Sequence, residues 1–148
     1  MNSISLADIA DAQAVLKEVL VETPTLRLKS DRWEGILPDI AGGAIKMELF
    51  QQAGSFKARG AYLGIHRLTD VERSNGVVAA SGGNHALAVA WAAKKAGISA
   101  RIAIPKAADP VRLNGCRALG AEVILCDDID DAFATMETCA ADEGRTIM

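Results

Sequence analysis

The chain has 148 residues, half of them hydrophobic and 24% charged, a balance that places it with globular domains and against disorder. Sixteen basic against nineteen acidic residues give a net charge of -3 and a pI near 5.4, so no broad cationic face exists to neutralise a phosphate backbone, and nucleic acid is not an expected partner. One domain is the prior for this length.

The chain opens with acidic residues at Asp8 and Asp11 and no cationic flank or uninterrupted apolar core, which argues against a secretory signal and makes the cytoplasm the expected compartment. A helix is expected from about Ser5 to Leu20. ThrProThr at 23 to 25, an apolar strand near Ala44 to Leu49 and a helix opening at Ser55 follow. Residues 1–75 are irregular and do not complete a domain by themselves.

From Gly76 onward the pattern repeats. A β-type run, Val77 to Ala80, meets SerGlyGly and a helix-period stretch from Asn84 to Lys95 that Gly97 ends. A second run, Ala100 to Ile104, closes at Pro105. Asp109 and Pro110 supply an N-cap and a first-turn proline for a helix ending at Leu119 and Gly120. A third run, Glu122 to Cys126, precedes a helix from Ile129 to Glu143 with Ala132, Met136, Cys139 and Ala140 on one face and Gly144 at its end. Short apolar strands alternating with helices predict an α/β fold: a parallel sheet covered on both faces, three layers in all, with ligand sites at the carboxyl ends of the strands. ArgThrIleMet at 145 to 148 reads as the beginning of one more strand, so the chain is expected to be a fragment. The apolar stretch near Ala86 to Ala93 stops at Lys94 and Lys95, short of the roughly 20 residues that a bilayer span needs. Cys116, Cys126 and Cys139 are odd in number and sit in apolar periodic segments, which indicates buried thiols rather than disulfides or a metal site.

Two segments could carry chemistry. In GSFKARGA, Gly54 to Ala61, Ser55 is a candidate N-cap that puts Lys57 in the first turn of a helix. There the helix terminus opposes an ammonium and favours the neutral amine, a nucleophile able to form a Schiff base with a carbonyl; Arg59 adds to the effect. A solvated surface lysine is the commoner reading of these residues alone. In SGGNHA, Ser81 to Ala86, the residues Ser81, Gly82 and Gly83 form a tight strand-to-helix turn whose backbone N–H groups make an anion cradle, with Asn84 as candidate cap. A glycine turn capped by Asn84 explains the segment equally well without a ligand. The segment is neither a GxGxxG fingerprint nor a P-loop. His85 borders the loop without an evident orienting partner.

KMELFQQAGSFKARGA, Lys46 to Ala61, resembles the lysine signature of the pyridoxal-phosphate enzymes of fold type II, in the threonine and serine dehydratase and serine racemase branch. SGGNHALAVA, Ser81 to Ala90, resembles the second signature of the same family at the expected distance, and LeuGlyAlaGlu at 119 to 122 matches a third recurrent feature. The resemblance covers essentially the whole chain. It implies the tryptophan synthase beta-like fold, with residues 76–148 as a small α/β domain and residues 1–75 as an incomplete part of a large one. It implies pyridoxal 5'-phosphate as cofactor and no metal. Lys57 would bear the cofactor as a Schiff base and shuttle the substrate α proton, Phe56 would lie against the pyridine ring, and Asn84 would hydrogen-bond the phenolic oxygen. Ser81, Gly82, Gly83, Asn84 and His85 would bind the substrate carboxylate. Glu48 and Gln51 match the signature and are expected to serve packing and support.

The activity so implied is that of a lyase in amino-acid metabolism, a threonine or serine ammonia-lyase (dehydratase) giving a 2-oxo acid and ammonia from a small amino-acid substrate. The full-length protein is expected to be a homo-oligomer without membrane attachment. The alternatives are an amino-acid racemase of the same fold and a non-catalytic α/β binding module. The family's downstream glycine-rich phosphate loop and its pyridine-nitrogen partner have no match in this sequence, so the 148-residue chain alone is expected to be inactive. Where the family's racemases carry a second serine in the loop this chain has Gly82. Leu87 and Arg112 also depart from common family residues, with no evident bearing on the chemistry.

Overall fold

A reciprocal pair of hydrogen bonds starts the first helix. The Asp8 N–H donates to Ser5 Oγ at 3.2 Å while the Ser5 N–H donates to the Asp8 carboxylate at 2.8 Å, a capping box that opens α1, Leu6–Leu16. The computed structural model describes residues 3–28 and 43–148. The helix stops four residues before the expected Leu20. The cause is Gln51, whose buried amide accepts from the Val21 N–H at 3.0 Å and donates to the Val21 carbonyl at 2.8 Å, holding the chain out of the helix.

Strand β1, Thr25–Leu28, pairs antiparallel with β2, Gly43–Lys46, in the register Thr25 to Lys46. The expected strand to Leu49 is cut short at Lys46, and two 3-10 turns, Glu48–Phe50 and Gln52–Gly54, take its place. Helix α2 runs Lys57–His66. Helix α3, Asp70–Asn75, was not anticipated, although its capping box is legible as Thr69 and Glu72 three residues apart.

The repeat that begins at Gly76 folds as expected. Strands β3, Val77–Ala80, β4, Ala100–Pro105, and β5, Glu122–Cys126, alternate with α4, Asn84–Ala96, α5, Pro110–Ala118, and α6, Ile129–Glu143, and β6, Thr146–Ile147, completes the sheet. All pairings in this sheet are parallel and the strand order is β5-β4-β3-β6. Alternation of side chains along each strand separates two cores. Val77 and Ala79 with Ile102 and Ile104 face α2, α4 and α5, whereas Val78 and Ala103 face α6 through Met136, Cys139 and Ala132. The sheet is therefore the middle of three layers.

Helix α4 is buried on several sides, with Ala86, Ala88, Val89, Ala90, Ala92 and Ala93 all out of solvent. Its small side chains allow the sheet, α2 and α5 to approach together; Gly115 of α5 lies so near Leu87 that a Cβ there would meet its Cδ2 at 2.7 Å. The three cysteines are free and buried. Among the described residues no helix is long and apolar enough to cross a membrane, and no cluster of metal-ligating side chains occurs.

Strand β3 has β4 on one side and β6 on the other, and their crossover helices lie on opposite faces. The carboxyl end of β3 is thus the topological switch point of the sheet, where the connections diverge. The loop Ser81–His85 begins there.

Candidate functional site

One backbone bond and one serine hydroxyl shape the loop. The Ser81 N–H continues the sheet to the Ala103 carbonyl at 3.0 Å, and the Gly83 N–H turns back onto Ser81 Oγ at 3.1 Å. Gly83, not Asn84, occupies the cap position, and no side chain caps α4; Asn84 is the first helical residue. The Ser81 and Gly83 amides are therefore already satisfied, so the expected cradle narrows to the Gly82 amide and those of the first turn of α4, whose N–H groups have no acceptor within the helix. Ser81 Oγ accepts from Gly83 and keeps its hydroxyl proton for an acceptor outside the loop. A Cβ at Gly83 would meet only Ser81 Oγ at 3.8 Å, which leaves this approach to the backbone open.

Asn84 is exposed and its Oδ1 accepts from the Arg112 guanidinium of α5. Arginine has only donors, so this contact fixes the amide with its oxygen towards Arg112 and leaves the Nδ2 protons available to an acceptor in the site. Arg112 thus orients the amide of a candidate residue, a contact the sequence did not disclose. His85 Nε2 lies 2.9 Å from the Met148 carbonyl oxygen, and because a carbonyl only accepts, that nitrogen carries the proton. The ring ties the loop to the end of β6 across the switch point.

Lys57 is the first residue of α2 and exposed; its Nζ lies 5.4 Å from the centroid of the Phe56 ring, itself 59% exposed. The expected cap does not form. Phe56 holds the cap position without a side-chain bond, and the Ser55 hydroxyl is buried with no hydrogen-bond partner. Ahead of it, Ala53 and Gly54 both adopt left-handed backbone, φ 57° and 67°. An alanine in that region costs about 1–2 kcal/mol, and such strain gathers at functional segments.

The turn is held from outside by charge. Arg59 grips Glu48 with both arms, Nε to Oε2 at 2.8 Å and Nη2 to Oε1 at 2.7 Å, and Thr23 Oγ1 donates to Oε1 at 2.6 Å. The Arg59 guanidinium holds the Glu48 carboxyl down to about 2. Glu48 and Gln51 are therefore ionic and hydrogen-bonding anchors rather than packing residues. The Gln52–Gly54 turn packs on α4, the helix that the Ser81–His85 loop opens, and Tyr62 of α2 lies 5.8 Å from Trp91 of α4 between ring centroids. The two motifs are so carried by one packed pair of helices.

A family model described as pyridoxal-phosphate dependent enzyme matches residues 21–148. The chain belongs to that family. It is 40% identical over 142 residues to a phenylserine dehydratase of Ralstonia pickettii, covering 95% of this chain and 42% of the relative. It is 45% identical over 133 residues to an L-threonine ammonia-lyase of Thermotoga maritima, covering 88% of this chain and 32% of the relative. The chain thus spans less than half the length of these curated relatives. Among solved structures it resembles maize serine racemase with a TM-score of 0.85 and 33% identity, over 99% of this chain and 44% of that one. The residues present fit the family's cofactor: an exposed primary amine for its aldehyde, an aromatic face beside that amine, and a buried hydroxyl two residues away that still lacks a partner.

Proposed function

We propose that this chain supplies the lysine and the substrate loop of a threonine or serine ammonia-lyase, which removes water and then ammonia from a hydroxy amino acid to give a 2-oxo acid. The observation that carries this reading is Lys57, exposed at the first position of α2 behind a strained turn and beside an aromatic ring. The relatives named as dehydratase and ammonia-lyase support the substrate class. We further propose a division into residues 76–148 as the small domain and residues 1–75 as part of the large one, on the ground that the whole parallel sheet lies within 77–147.

The cofactor, when bound, supplies the electron sink that stabilises a carbanion at the substrate α carbon. Lys57 Nζ would hold the cofactor through its aldehyde and, as a free amine, would take the substrate α proton. Phe56 would offer its ring to the pyridine. Asn84, held by Arg112, would offer its Nδ2 protons to the phenolic oxygen. The Ser81 hydroxyl and the first-turn amides of α4, with Gly82, Gly83 and His85 around them, hold the substrate carboxylate at the positive end of the helix.

A racemase is the second reading, favoured by the likeness to maize serine racemase. It needs a proton acceptor on each face of the α carbon, and Gly82 has no side chain to provide one, so elimination remains the better assignment.

The test is chemical. The 148-residue chain is incubated with pyridoxal 5'-phosphate, reduced with borohydride and mapped by peptide mass spectrometry, and Lys57 is expected to carry the pyridoxyl group while Lys57→Ala loses it. Label centred on Lys46, Lys94 or Lys95 overturns the assignment. Formation of 2-oxo acid from threonine by the 148-residue chain alone is expected to be negligible against the ordinary range of about 1–1000 per second.

A further inference from the structure

The strained turn before Lys57 packs on α4 but has little hydrogen bonding of its own, chiefly the Gly54 N–H to the Gln51 carbonyl at 2.9 Å. Ala53 and Gly54 lie in left-handed backbone, and the Ser55 hydroxyl makes no hydrogen bond. A short segment with such features relaxes unless its surroundings determine it. Contacts of that kind are present on both flanks. Upstream, Gln51, 4% exposed, clamps the Val21 peptide from both sides and also accepts from the Gln52 N–H at 2.9 Å. Between the flanks, the Glu48 carboxylate reaches across eleven residues to the fork of Arg59, two residues beyond Lys57. Thr23, itself 3% exposed, and Lys46, which donates to the Thr23 carbonyl at 3.1 Å, close the network against β2.

We infer that Glu48, Arg59 and Gln51 are positioning residues: they form a brace that closes a loop around Lys57 and fixes the direction in which its amine leaves the first turn of α2. This rests on the reading that Lys57 is the reactive amine. Bidentate geometry matters here, because two parallel bonds fix the guanidinium plane and with it the helix residue that bears it. A point charge would not. Misplacement of a reacting group by about 1 Å costs up to roughly a hundredfold in rate or affinity, so a brace that removes such freedom has a measurable effect on the amine while leaving the parallel sheet untouched.

The experiment compares the wild-type 148-residue chain with Glu48→Gln, Arg59→Lys, and a control, Arg101→Gln, which breaks an ion pair with Glu122 and Glu143 outside the network. Two readouts are taken. In the first, imine formation with pyridoxal 5'-phosphate (amine and aldehyde condense with loss of water) is fixed by borohydride, and the label on Lys57 is compared with that on Lys46, Lys94 and Lys95. In the second, needing no cofactor, lysines are reductively methylated with carbon-13 formaldehyde and the Lys57 signal is followed by NMR. Glu48→Gln and Arg59→Lys are expected to reduce the preference for Lys57 by about ten- to hundredfold, and to move its methyl signal towards those of freely rotating lysines. The control should change neither, and circular dichroism should be the same for all four. A Lys57 preference and signal in Glu48→Gln equal to wild type overturn the brace. Absence of label on wild-type Lys57 overturns the proposed function instead, and the NMR comparison then decides the brace by itself.

Discussion

At the scale of single residues the site is governed by what a side chain leaves over after its structural bonds are made. Ser81 gives its oxygen to Gly83 and keeps a proton, and Asn84 gives its oxygen to Arg112 and keeps two. Gly82 contributes space. A Cβ there would meet Ala108 Cβ at 3.0 Å and Pro105 Cδ at 3.7 Å, because the loop after β3 lies close against the turn after β4. A serine at 82 therefore cannot be added without moving one of the two loops. Gly82→Ser is expected to destabilise the chain by about 1–3 kcal/mol, the usual cost of overpacking. The double substitution Gly82→Ser with Ala108→Gly should recover more than the sum of the single effects predicts. Urea denaturation of the four proteins measures this, and additive losses would sink the contact argument. The consequence for chemistry is that a racemase-like second base needs two changes here, not one.

At the scale of elements, legibility followed the reach of the forces. Helices α4 to α6 and strands β3 to β5 could be placed from the sequence because their signals are local: the Asp109-Pro110 start of α5, glycines after α4 and α6, and apolar spacing that matches the buried face of Ala132, Met136 and Cys139. Residues 17–28 and 43–57 were less legible because distant partners decide them. Gln51 ends α1 from thirty residues away, and the ion pair of Glu48 and Arg59 turns an expected strand into two 3-10 turns. Nothing local in Ala53 announces a left-handed residue. The same distinction separates two glycines. Gly97, φ 69°, ends α4 with nothing within 4 Å of a Cβ, whereas at Gly76, φ 81°, a Cβ would lie 2.3 Å from Ser99 Oγ and 2.6 Å from the Ser99 carbonyl oxygen. Gly97→Ala should cost about 1–2 kcal/mol, the backbone term alone. Gly76→Ala adds a clash with the Ser99 backbone just ahead of β4, at a residue whose carbonyl also accepts from the Thr146 N–H, so it should cost about 4 kcal/mol or more and loosen β6. Denaturation midpoints that fall equally for both would contradict this division.

At the scale of the whole molecule, apolar surface is unevenly distributed. Large apolar side chains stand exposed along residues 4–56 at Ile4, Leu6, Ile9, Leu26, Ile45, Leu49, Phe50 and Phe56, with Leu6 85% and Leu49 59% open. A cavity of about 520 Å³ opens beside them, walled by Ile9, Leu16, Leu20 and Val21 and edged by Lys46 and Arg59. The central strands β3 and β4 of the parallel sheet, by contrast, are covered on both faces. Each square ångström of apolar surface removed from water contributes about 25 cal/mol, so a few of these side chains meeting a second surface offset much of the cost of association. Exposed apolar area on this scale promotes self-association in an isolated chain. The 148-residue chain is therefore expected to associate with rising concentration, and the association should strengthen with sulfate, which favours burial of apolar surface, and persist in moderate sodium chloride, which screens charge. Light scattering coupled to size exclusion reads the mass directly. Leu49→Ser with Phe50→Ser should shift the chain towards monomer without changing its circular dichroism, since neither side chain is part of the buried core. A chain that stays monomeric at every concentration, or that dissociates in sodium chloride alone, would show that charge rather than this apolar face controls its contacts.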